Sequence, residues 1–142
     1  FNSIILLKEV CMKLYKEDIL KLLKSYDIDY NECIILSGAS LVLQGVKEYT
    51  SDIDISVSDK VYHDLLKKYS CTLEKIVDND KVWFIDDIIN FGRTYYDKVE
   101  FYLLNGYKIQ TIESILELKR ELGRSKDMED IKHILEYERK KC

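Results

Sequence analysis

Aspartate is a poor strand former, yet Asp52 and Asp54 stand two apart in Ser51-Asp52-Ile53-Asp54-Ile55-Ser56-Val57, whose alternation puts Ile53, Ile55 and Val57 on one apolar face. Residues i and i+2 of a strand project side by side, about 6–7 Å apart along the backbone. Two carboxylates so placed repel each other unless a cation lies between them. A hard divalent ion meets that need, because Mg²⁺ takes one or two protein carboxylates and completes its shell with water and phosphate oxygens. The pair would then double as a clamp on nucleotide phosphates. Read alone, it is equally a solvated strand end carrying two surface acids.

Upstream, Leu36-Ser37-Gly38-Ala39 places a small hydroxyl residue and a glycine where a strand turns into a helix. A helix N-terminus offers unpaired N–H donors, and glycine lets a phosphate come close to the backbone. Ser37 would add a hydroxyl. Such a turn is commonly structural; Gly38 followed 14 residues later by Asp52-x-Asp54, with a helix between, is more specific.

These residues carry a resemblance. Ile35-Leu36-Ser37-Gly38-Ala39-Ser40-Leu41-Val42-Leu43-Gln44-Gly45, then Tyr49-Thr50-Ser51-Asp52-Ile53-Asp54-Ile55, resembles the signature of the DNA polymerase β-like nucleotidyltransferase superfamily. It is most similar to the small bacterial branch that includes toxin-like enzymes of abortive-infection and toxin–antitoxin systems. One departure is Ser37, where the signature usually has the first of two glycines. The resemblance spans about residues 34–134 and is strongest from Ser37 to Ile55. It implies catalysis by Asp52, Asp54 and Glu100, the last in Lys98-Val99-Glu100-Phe101-Tyr102-Leu103 on a strand beside the aspartates, with Asp97 as the rival if the register slips. It implies that all three hold Mg²⁺ or Mn²⁺, and that Ser37, Gly38 and Lys119 meet the nucleotide. The segment from Leu118 to Ile131 resembles the branch's ending, where Asp127 and Asp130 begin the last helix and suit its dipole in any case. The implied reaction moves a nucleoside monophosphate from a nucleoside triphosphate to the hydroxyl of an RNA, a protein or a small molecule, with an antitoxin as protein partner. A degenerate domain that binds a nucleotide or a partner without catalysis is the alternative. A sugar-nucleotide transferase of the DxD kind ranks below both, since 142 residues leave little room for donor and acceptor halves.

The elements that must position these groups follow from periodicity. Apolar residues at helical spacing predict a helix over 14–26; Cys33–Leu36 reads as a buried strand and Ala39–Gln44 as a short helix stopped by Gly45. Ser58 caps a helix over 59–69. Strands are expected at 73–77, 82–85, 98–104 and 107–110, with a turn at Asn79-Asp80. Helices over 112–122 and 125–140, divided at Gly123, close the chain. The expected fold is α/β of the α+β kind, a nucleotidyltransferase fold with a mixed sheet flanked by helices and two C-terminal helices, in one domain over 1–142. Residues 1–11, ahead of Met12, read as an extension.

Bulk properties restrict the function classes. A net charge of −4 gives no global basic field for avid nonspecific nucleic-acid binding. The four cysteines, Cys11, Cys33, Cys71 and Cys142, form no C-x-x-C pair, which argues against structural zinc and for reduced thiols in the cytoplasm. No apolar run approaches the roughly 20 residues of a membrane span, so no membrane association is expected.

Overall fold

The computed structural model describes residues 12–141; the 1–11 extension, Cys11 and Cys142 lie outside them. Leu14–Tyr15 (β1) precedes the first helix, Lys16–Ser25 (α1). The helix begins two residues later than its periodicity suggests, because Leu14 and Tyr15 pair instead with Thr50 and Tyr49 of a two-residue strand, Tyr49–Thr50 (β3). The Tyr15 amide donates to the Asp18 carboxylate, which fixes the helix start.

After a short 3₁₀ turn come Cys33–Ile35 (β2) and Ser37–Leu43 (α2), ended at Gly45 with φ +79°. Ile53–Val57 (β4) leads through Ser58, whose hydroxyl accepts from the Val61 amide, into Asp59–Lys68 (α3). Next come Cys71–Val77 (β5), Asp80–Ile85 (β6), Ile89–Gly92 (β7), Phe101–Leu104 (β8) and Tyr107–Gln110 (β9). Ile112–Leu122 (α4) is capped by Thr111 and closed by Gly123 at φ +60°; Ser125–Lys141 (α5) follows. Three two-residue turns, Asp78-Asn79, Asp86-Asp87 and Asn105-Gly106, have both residues at positive φ, the hairpin geometry that matches strand twist. The first lies one residue before the expected Asn79-Asp80.

The main sheet is mixed, in the order β5-β6-β7-β4-β2-β9-β8. Pairs β4–β7 and β2–β9 are parallel and the rest antiparallel. One sheet face buries Cys33, Ile35, Ile53, Ile55, Val57, Phe91 and Ile109 against Ile19 and Leu23 of α1 and Val61 and Leu65 of α3. A smaller core of Leu41, Val46, Ile115 and Ile134 ties α2 to α4 and α5. Among the described residues no helix is long and apolar enough to cross a membrane.

Candidate functional site

The alternation of β4 sends Asp54 and Ser56 to the sheet face opposite the main core. Strand β4 begins at Ile53, so Asp52 sits in the bend just before it rather than within it. The Leu36 amide donates to the Asp54 carbonyl at 2.8 Å, which sets the Ser37-Gly38 turn directly beside the aspartates. Ser37 begins α2 at φ +48°, a region that favours glycine, and its amide donates to Gln110 Oε1 at 3.0 Å. That conformation is the physical reason for a glycine at this position of the signature. Ser37→Gly is therefore expected to stabilise the fold by about 1 kcal/mol, measured by urea unfolding. Gly38 is closely packed: a Cβ there would stand 2.7 Å from Thr50 Oγ1, so the threonine side chain would have to shift.

Asp54 lines a cavity of about 300 Å³, shared with Ser37, Ser56, Lys75, Asn90 and Arg124. Burial pushes the Asp54 carboxyl up to about 7; the neighbouring Asp52 adds to this, while Lys75 and Lys119 oppose it.

Glu100 is not brought to this pair. The strands beside β4 are β7 and β2, not β8, and residue 90 of β7, opposite Asp54 in register, is asparagine. Strands β2 and β9 separate β4 from β8, which at about 4.8 Å per strand is roughly 14 Å of sheet. Glu100 also lies outside β8, its carbonyl accepting from the Thr111 amide, and faces a neighbouring cleft with Asp78, Lys98 and Glu117. Asp97 precedes it in the same loop and lies outside β8 as well. Among the described residues no three His, Cys, Asp or Glu side chains gather as metal ligands.

Lys119, expected at the phosphates, is buried in ion pairs instead. Its ammonium lies 3.0 Å from both Asp127 Oδ1 and Asp130 Oδ2. Lys47 Nζ reaches Asp130 at 2.7 Å, and Arg124 donates to both oxygens of Asp127. Burial would raise the Asp127 carboxyl, but hydrogen bonds from Arg124 and Lys119 outweigh it and hold it down at about 2. Asp130 is likewise held below the usual carboxylate range despite burial, by Lys47 and Lys119. The network fixes Arg124 at the cavity wall, so Lys119 acts on the site both by its own charge on Asp54 and through Asp127. Sequence reasoning missed Ser56, Asn90 and Gln110. Ser56 was open to it, being two residues beyond Asp54 on the same strand face.

No protein-family model matches the chain, and no curated protein matches it significantly. Among solved structures it is similar to the 1.87 Å crystal structure of a "putative nucleotidyltransferase" from Thermotoga maritima. The TM-score is 0.54 at 16% identity, over 87% of this chain and 96% of that one. At that identity the likeness is one of architecture, and it agrees with the mixed sheet and five helices described above: the chain has a nucleotidyltransferase-like fold.

Proposed function

We propose that this chain is a metal-dependent nucleotidyltransferase that moves a nucleoside monophosphate from a nucleoside triphosphate to an acceptor hydroxyl in the cytoplasm. The observation that carries the reading is Asp54, a half-buried carboxylate raised by burial and by Asp52, placed next to the Ser37-Gly38 turn on a cavity that also receives Lys75 and Arg124. Two repelling carboxylates are a hard-oxygen donor set that suits Mg²⁺ or Mn²⁺. Asp52 and Asp54 would hold that ion, which when bound supplies the positive charge that triphosphate oxygens need.

The chain's own groups do the rest. Arg124, oriented by Asp127, presents a fixed cation, and Lys75 presents another. Both side chains stand at the solvent-exposed rim of the cavity, Arg124 at 41% and Lys75 at 44% exposure, and offer positive charge to an entering triphosphate. The reading rests on Asp52 and Asp54 and leaves Glu100 outside. A toxin-like role with an antitoxin partner belongs to the same proposal, with RNA, protein and small molecules as the candidate acceptors.

Asn90 favours a second reading. With an amide in place of a carboxylate beside Asp54, the domain would bind a metal–nucleotide and not turn it over. Incubating the protein with each α-phosphate-labelled triphosphate, Mg²⁺ and total cell extract separates the two. Label on an extract component, lost on chelation, is the expected result. Saturable Mg²⁺-dependent binding in calorimetry with no label and no pyrophosphate release would establish the second reading. Absence of both binding and label would end both.

A further inference from the structure

Behind Asp54 the cavity contains a group that neither the metal nor the phosphates would use. Ser56 is 1% exposed, lies on the same strand face as Asp54, and lines the cavity. Its hydroxyl has no hydrogen-bond partner among the described residues. A buried, unsatisfied hydroxyl costs roughly 1–3 kcal/mol unless something binds it. Beside it Asn90, 7% exposed, brings an amide with one acceptor and a pair of donors. Val82 and Leu118 supply apolar wall, Ile76 at 61% and Leu122 at 43% exposure stand at the rim, and Asp54, Lys75 and Arg124 line the same cavity. The volume of about 300 Å³ is at the bottom of the roughly 300–1,000 Å³ range of small-molecule sites.

Apolar walls with hydrogen-bonding groups on the sheet floor suit a flat, uncharged ring whose edge carries both donors and acceptors. Phosphates held at Asp54, Lys75 and Arg124 would leave Val82, Leu118 and the Ser56–Asn90 floor unused, and an aliphatic chain would leave Ser56 and Asn90 unpaired. We propose that this cavity takes the nucleobase of the nucleotide, with Ser56 and Asn90 reading its hydrogen-bonding edge. The inference rests on the reading of the chain as a nucleotide-binding protein. It deepens that reading by assigning base selection to residues on β4 and β7. A site that hydrogen-bonds one base edge leaves polar groups unpaired against the others, and discrimination follows from that penalty.

The test uses the phosphate-free ribonucleosides adenosine, guanosine, cytidine and uridine, without metal, with binding followed by saturation-transfer NMR on the full chain. One nucleoside is expected to bind at least tenfold more tightly than the other three. Asn90→Leu and Ser56→Ala should each weaken it at least tenfold. Ser56→Ala removes only an unpartnered oxygen, so its thermal melt should stay at or above that of the parent and lost binding cannot be ascribed to unfolding. Equal binding of all four nucleosides, no binding at all, or variants that bind like the parent would overturn the inference. Asp52→Asn distinguishes this from failure of the functional reading. It should leave nucleoside binding intact while removing Mg²⁺-dependent tightening by the triphosphate. Tightening that depends on Asp52 without base discrimination would leave the functional reading standing and remove the nucleobase pocket.

Discussion

Asp54→Asn is expected to lower nucleotidyl transfer at least about 10³-fold, on the order of 4 kcal/mol in barrier, while leaving the fold as stable as before or more so. The two effects share one cause. In the metal-free protein the Asp54 carboxyl is raised to about 7, by burial first and by Asp52 second. Between its unfolded value near 3.9 and about 7, the folded state therefore binds more protons than the unfolded one. This is the reverse of the usual carboxylate: in the metal-free protein the Asp54 contribution to stability is fully present below about pH 4 and is lost as pH rises through 7. Asn cannot ionise, so the variant should lose that decline and gain most over the parent at pH 8. Denaturant titrations at pH 5 and pH 8, with and without Mg²⁺, read this directly. A parent protein with no pH-dependent loss, and a variant that keeps full transfer, would remove Asp54 from the proposed chemistry.

Lys119→Met is expected to cost roughly 3–5 kcal/mol of stability, a fall in melting temperature on the order of 10 °C. The side chain of Lys119 is 8% exposed and that of Asp127 2%, and the two lie 3.0 Å apart. Taking away one cation leaves Asp127 and Asp130, 2% and 12% exposed, with less countercharge in a largely buried region, and this outweighs the packing that methionine preserves. The pH dependence has the opposite sign to that of Asp54. Asp127 is held down at about 2, so its contribution is complete above about pH 4 and is lost as pH falls toward 2. Differential scanning calorimetry between pH 2 and 7 on parent and variant checks both points. Equal melting temperatures at pH 7 would mean that the buried pairs contribute nothing net.

Local signals in the sequence were accurate where the cause was local. The alternation around Asp54, the Ser58 cap, and the stops at Gly45 and Gly123 each depend on a few neighbouring residues, and each is found. The order of strands is a nonlocal property that alternation does not encode. Period-2 patterning tells which face Glu100 would share but not which strand lies beside β4. The clue was present in Asn105-Gly106, a strong two-residue hairpin signal that ties β8 to β9. Strand β7 was harder to see, because its turn is Asp86-Asp87 and its four residues include Asn90 and Gly92, both poor strand formers. Ile89 and Phe91 are held there by parallel pairing to Ile53 and Ile55, which no local window contains. The buried role of Lys119 was equally hidden, since its partners become neighbours only when α4 and α5 fold together.

The parallel pairing of β2 with β9 joins residues more than 70 positions apart, and the Ser37 amide is secured by Gln110 across the same gap. On a ribosome, which releases the chain from its N-terminal end, the turn beside the aspartates has no latch until Gln110, 73 residues after Ser37, has emerged. A nascent or prematurely terminated chain carries both aspartates and the two strands that flank β4 but lacks β9, which borders β2 and supplies Gln110 to the Ser37 turn. Assembly of the proposed reaction centre thereby waits for β9, and fragments ending before Gln110 should be inert.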